Sequence, residues 1–333
     1  MLGWPLALTF LLAAPGVGQD RVTWLDSRDQ QVTRAGEILS YDANHLQLRL
    51  PHGATRRVPA DRLVGIESER GVEHQRADEA FDRHDYSTAL SLYRSAYRDE
   101  MRLWKKQQIV ARSVECLQQL DRIGEAAATF LALWKQDAAT PYFAAIPLAW
   151  RAKPVDRQWE NVAVGWLDRS QPAVARLMAA SWLLAGRHRR AAEQTLVELT
   201  EREASNWIGR LAAAQRWRTQ AVTASVDEVL AWRAALTRLP AGLRAGPSFV
   251  VASGLSRWNR ADEAVLLYLR IALVDAPASD LAAESLWAGG QVLERTGHGD
   301  EARRVYRELI ERHPDHPLTN EAHRTVRLLE ESR

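Results

Sequence analysis

Two rhythms of apolar and polar positions divide the chain. Between residues 21 and 68 they alternate: Leu46, Leu48 and Leu50 fall on one side of an extended segment and Gln47 and Arg49 on the other, the period-two spacing of a half-buried strand. Turn residues bracket it, with Asp42, Ala43 and Asn44 before and Pro51, His52 and Gly53 after. The pattern predicts five short strands at 22–25, 38–41, 45–50, 55–58 and 63–66, the last two joined by a tight turn at Pro59, Ala60 and Asp61. From about Gly71 apolar residues recur every three to four positions in stretches broken by Gly, Pro or short polar turns, which predicts a run of helices.

The stretch GEILSYDANHLQLRLPHGATRRVPADRLVGI resembles the small barrels of the Src-homology-3 and Sm types, whose bent sheet removes its free edges. In the helical part, five sets of positions share one spacing: Ala77, Ala80, Ala89 and Tyr93; Val114, Leu117, Ala126 and Phe130; Ala179, Trp182, Ala191 and Thr195; Ala252, Leu255, Ala264 and Tyr268; Gly290, Leu293, Ala302 and Tyr306. In each, the first residue and the Ala of the following helix lie twelve apart. Two antiparallel helices touch closely only where both carry small side chains, and a fixed turn length keeps those positions opposite each other.

This pattern resembles the tetratricopeptide repeat, closest in GGQVLERTGHGDEARRVYRELIERHPDHP and good in RWNRADEAVLLYLRIALVDAP and RHDYSTALSLYRSAY. The resemblance covers residues 73–312 and implies a mainly α chain, an α-α superhelix of about six or seven hairpins, preceded by a small all-β barrel-like module at 20–70. Val229 marks a degenerate hairpin in one long gap between copies, and residues 143–151 with 155–168, opened by Pro154, supply the pair missing from another. Residues 317–331 read as one more amphipathic helix, with Leu318, Ala322, Val326 and Leu329 on one side, that caps the array.

Composition narrows the function more than it names it. Against 44 basic side chains stand 42 acidic ones, so net charge argues for no polyanionic partner. Residues 20–70 hold eight of each sign, which argues against nucleic-acid binding through His45, His52, Arg56 and Arg57. Residues 4–17 are almost without polarity and end at small residues, Gly16, Val17 and Gly18, the pattern of a signal peptide over residues 1–18. No later segment has the length of apolar residues that a membrane span needs. An exported chain, periplasmic or associated with the cell envelope, is the expectation.

Candidate chemistry is thin. The chain's one cysteine, Cys116, sits beside Leu117 on a packing face and permits neither an internal disulfide nor a cysteine metal cluster. His313 and His316 flank Pro314 and Asp315 in a turn, without an HExxH pattern, and read as solvated rather than metal-bound. Of thirteen tryptophans, Trp104, Trp134, Trp150, Trp166, Trp232 and Trp287 lie among apolar or small neighbours in helical stretches and read as core filling, with Trp182 at a repeat position that takes an aromatic. No nucleophile elbow, phosphate loop or dinucleotide fingerprint is present. The expectation is a protein that is not an enzyme and carries no cofactor or metal. The tetratricopeptide resemblance implies a scaffold whose first helices line a concave groove for an extended or helical segment of a protein or peptide partner. By position that groove includes Asp78, Asp82, Glu115, Gln119, Ser253, Arg257, Gln291 and Arg295. An alternative makes the chain an accessory or substrate-presenting subunit of an envelope enzyme complex acting on cell-wall polymer.

Overall fold

The computed structural model describes residues 20–153, 155–276 and 279–331. The expected signal segment and Pro154 lie outside these residues. The described chain is mainly α, 64% helix, with fourteen helices packed in consecutive pairs after an antiparallel five-stranded sheet.

The strands are β1 (Asp20–Leu25), β2 (Gln31–Tyr41), β3 (His45–Arg49), β4 (Thr55–Pro59) and β5 (Leu63–Glu67), in the order β4-β3-β2-β1-β5. All five expected strands form. The difference is β2, which starts at Gln31 and pairs with β1 along its first half and β3 along its second. Its early residues face solvent, so no apolar alternation marks them. The turn expected at Pro59, Ala60 and Asp61 is a 3-10 turn over Ala60–Arg62. Val22, Trp24, Ile38, Leu46, Leu48 and Val58 form the core under the sheet, closed by Trp104.

The helices are α1 (Val72–Asp82), α2 (Tyr86–Asp99), α3 (Leu103–Gln119), α4 (Ile123–Gln136), α5 (Arg157–Trp166), α6 (Ala173–Leu183), α7 (Arg189–Arg202), α8 (Trp207–Gln220), α9 (Val226–Leu236), α10 (Ala245–Arg257), α11 (Ala261–Arg270), α12 (Asp280–Arg295), α13 (Gly299–Arg312) and α14 (Leu318–Glu331). Contacts divide the chain into two compact units. One holds the described residues up to Cys116 with Ala132–Ala145, and the other Leu117–Leu131 with Ile146–Arg333.

In the first unit a polar cluster ties the sheet to the start of α3. Asp20 is buried and accepts hydrogen bonds from the Ile38 amide (2.9 Å), the Ser68 hydroxyl and Arg102. Arg102 also donates to Glu100 (2.8 Å) and to the Glu69 carbonyl (2.9 Å), and the buried Lys105 ammonium donates to Ser68 (3.0 Å) and Glu69. Burial alone would raise the Glu100 pKa, but the hydrogen bonds and charge of Arg102 pull it down to about 2. Burial, then the like charge of Arg102, pushes Lys105 down to about 8.

Four interhelical turns repeat one geometry. His84, Asp121, Asn259 and Gly297 adopt left-handed φ of 62°, 56°, 55° and 80°. In each the next amide bonds five residues back: Asp85 to Ala80 and Arg260 to Leu255 at 2.9 and 3.0 Å, Arg122 to Leu117 and His298 to Leu293 at 2.9 Å. This left-handed helix stop satisfies orphan carbonyls and holds the spacing of twelve. Ala77, Ala80, Ala89 and Tyr93 are fully buried, as are Ala252, Leu255 and Ala264. The pair α6–α7 lacks this turn and departs from the expected register by one residue. Ala191 is exposed, and Ala180, Leu183, Ala192 and Leu196 occupy the core. The doubled alanines at 179–180 and 191–192 allow both registers at the same spacing.

Val229 is buried on α9, as expected. The helix expected over 143–151 does not form. Residues 143–145 make a 3-10 turn, and 146–153 run without helix or strand, because Pro147 cannot sit in a helix interior. The helix that follows starts at α5, capped by Asp156 accepting the Trp159 amide. At the far end Ala322 and Val326 of α14 join the core of α12 and α13, and the His313 carbonyl and the His316 ring hold the start of α14.

Two predictions follow from these contacts. Gly297→Ala places a side chain in a left-handed conformation and lowers stability by about 1 kcal/mol, whereas His84→Gly relieves one and raises it by up to about 1 kcal/mol; denaturant midpoints of both variants check this. The stabilisation from Glu100 is complete above its ordinary pKa of 4.5 and drains as pH falls toward 2, while stability gains between pH 8 and 10.5, where the unfolded chain holds the Lys105 proton that the folded chain has released. Unfolding free energies against pH, with Glu100→Gln flattening the acid limb, measure it.

Candidate functional site

In the second unit the first helices of successive pairs lie side by side, α6 against α8, α8 against α10 and α10 against α12. Residues 146–153 cross this layer as a strap without helix or strand. Main chain in that state has no ladder or helix to satisfy it, so its polar groups need side-chain partners. The Trp182 indole donates to the Pro147 carbonyl (2.8 Å), and the Ala149 amide donates to the Ser181 hydroxyl (3.2 Å). From α8, Gln215 and Arg218 both donate to the Ala149 carbonyl (2.9 and 2.7 Å), and Arg218 also reaches the carbonyls of Arg151 (3.0 Å) and Ser181 (2.8 Å). All these acceptors are neutral. Burial pushes the Arg218 guanidinium down to about 10.

The strap's later residues reach the opening turns of α10 and α12. A Cβ at Gly246 would stand 2.0 Å from the Trp150 indole, so the ring takes the place that any other side chain would fill. Arg151 lies over the Phe249 ring (5.8 Å) and pairs with Glu284 (2.9 Å), and Lys153 pairs with Asp121 (2.8 Å) and Asp280 (3.7 Å). Burial raises the Glu284 pKa against the opposing pull of Arg151.

Beside the strap, α10 and α12 leave an open cleft of about 890 Å³. Phe249, Tyr268 and Trp287 supply its aromatic surface, and Ser253, Arg257, Gln291 and Arg295 its polar rim. Arg295 donates to the Ser256 hydroxyl (2.7 Å), and neither Arg257 nor Arg295 pairs with a carboxylate among the described residues. The cleft's acids are engaged, Glu284 by Arg151 and Glu294 by the Tyr306 hydroxyl (3.1 Å).

Four of the eight residues placed in a groove by the sequence thus meet in one cleft. The others stand elsewhere. The Asp78 carboxylate is taken by the Tyr93 hydroxyl (2.6 Å) and Arg70 (2.9 Å), Glu115 pairs with Arg112 (2.8 Å), and Asp82 is exposed at the end of α1. Gln119 is half-buried in the last turn of α3. Sequence reasoning missed the strap and the side chains that hold it. Trp182, expected to fill a packing position, is buried, and its indole also serves the strap. The signal was Pro147 inside an apolar stretch read as helix.

Among the described residues no group of three or more His, Cys, Asp or Glu is placed to hold a metal ion, and no helix is long and apolar enough to cross a membrane. Cys116 is buried, its thiol pushed up to about 12 by burial. Compared with known proteins, the chain matches no family model, and no curated protein matches its sequence.

Replacing Gly246 tests the strap directly. Gly246→Ala drives a methyl into the Trp150 indole and is expected to cost about 1–3 kcal/mol. Tryptic cleavage after Arg151 should accelerate in the same variant, read by timed digestion and mass spectrometry.

Proposed function

We propose that this chain is an exported scaffold of the tetratricopeptide kind that holds an extended segment of another protein against the first helices of its hairpins. The repeated left-handed turn, the spacing of twelve and the layer of first helices support the repeat assignment. Strand order and a β2 that changes partner midway support a bent, barrel-like sheet at the N-terminal end. The apolar run at 4–17 supports export.

One observation carries the binding role: the chain's own residues 146–153 run without helix or strand across α6 and α8, their carbonyls and an amide held by side chains of those helices. A face that fixes irregular main chain in this way is equipped for a peptide, and part of the same face, the α10–α12 cleft, is open.

The test is recovery of co-purifying proteins with a tagged chain from its native source. Charge reversal at Arg257 and Arg295 is expected to reduce the recovered partner by about tenfold, a loss of roughly 1.4 kcal/mol. Reversal of Arg324, exposed on α14, should leave recovery unchanged. A partner set indifferent to Arg257 and Arg295 would remove the cleft from the binding face.

A further inference from the structure

The strap displays how this face treats main chain. On α8 the working unit is a neutral polar side chain, Gln215, followed one turn later by an arginine, Arg218, and the two converge on the Ala149 carbonyl. Residues three or four apart share a helix face. The same unit recurs on the next two first helices, as Ser253 with Arg257 on α10 and Gln291 with Arg295 on α12. All three pairs stand in the C-terminal halves of their helices and form one row that begins with Ser181 on α6.

The strap follows that row across α6 and α8 only. At Trp150 it leaves, seating the indole against Gly246 and running on to Glu284 and Asp280 in the opening turns of α10 and α12. The rest of the row is the open cleft, with two guanidinium groups that pair with no carboxylate among the described residues and three aromatic rings beside them.

We infer that the α10–α12 cleft grips the main chain of an uncharged, extended polypeptide segment from another protein, with Arg257 and the Gln291–Arg295 pair on its backbone carbonyls and Phe249 and Trp287 against its apolar side chains. This rests on the reading of the face as peptide-binding and adds the mode and the ligand chemistry. Two features favour neutral main chain over an acidic side chain. Every oxygen that Arg218 engages is a carbonyl or amide oxygen. The cleft also contains two carboxylates, Glu284 and Glu294, which offset part of the pull that its arginines exert on an acidic segment. Recognition through carbonyls tolerates many sequences and asks only for an extended chain with room for apolar side chains.

The probe is a short, end-capped synthetic peptide of Leu, Ala, Ser and Trp carrying a neutral fluorophore, followed by anisotropy with the full chain. Three results are expected: saturable binding; about tenfold weakening on Arg257→Ala with Arg295→Ala, in a variant whose melting is unchanged; and about fivefold weakening when esters replace the peptide's amides, since an ester carbonyl is the poorer acceptor. Raising salt should change affinity by no more than about twofold, because no ion pair forms. Tighter, salt-sensitive binding of the same peptide with Glu in place of Ser would overturn the inference in favour of carboxylate recognition. Binding that ignores both arginine substitutions, or no binding at all, would also overturn it. The co-purification result stands apart from these outcomes and decides by itself whether the cleft binds protein.

Discussion

Two helices can lie antiparallel at contact distance only if the residues between their axes are small and stay opposite each other. That constraint organises the helical part of this chain. The left-handed residue at His84, Asp121, Asn259 and Gly297 sets the turn length, and the bond from the following amide five residues back locks it. An alanine on each second helix then faces the first, and an aromatic or aliphatic ring one turn later fills the gap toward the next pair. Where Gly290 meets Tyr306, a Cβ would come within 2.4 Å of the ring, so the fit leaves no room for even one more carbon.

Where the rule is suspended, a different solution appears. The pair α6–α7 lacks the left-handed stop, and no helix forms over residues 146–153. Helices α6 and α8 therefore present the faces that a further helix would cover. The strap covers them with main chain in neither helix nor strand, and four side chains, Ser181, Trp182, Gln215 and Arg218, replace the hydrogen bonds that a helix makes for itself. The same irregularity that breaks the helix pairing shows how these two helices hold main chain of their own.

Much of this was readable from residue spacing. Strands come from alternation at Leu46 and Leu48, and the outer hairpins from alanines twelve apart, because burial on one face imposes a period that composition cannot hide. Ser253, Arg257, Gln291 and Arg295 line one cleft because they recur at matching positions of α10 and α12. Three things were not readable. The first half of β2 is solvent-facing and carries no apolar rhythm. The register of α6 against α7 is ambiguous where alanines are doubled. The strap depends on long-range partners that no local pattern encodes, Pro147 excepted, as does the Tyr93 hydroxyl that takes Asp78, whereas the Arg112 that pairs with Glu115 stands one turn away on the same helix.

The two ends of the strap are held by different kinds of force. Around Ala149 the partners are neutral oxygens and an arginine that stays protonated throughout ordinary solution conditions, so that attachment is indifferent to acid. Beyond Trp150 ion pairs join the contacts, and the carboxyl of Glu284 takes up a proton more readily than usual. Falling pH therefore loosens the Arg151–Glu284 pair while the bonds around Ala149 are untouched, so one segment carries two anchorages of unequal sensitivity to acid.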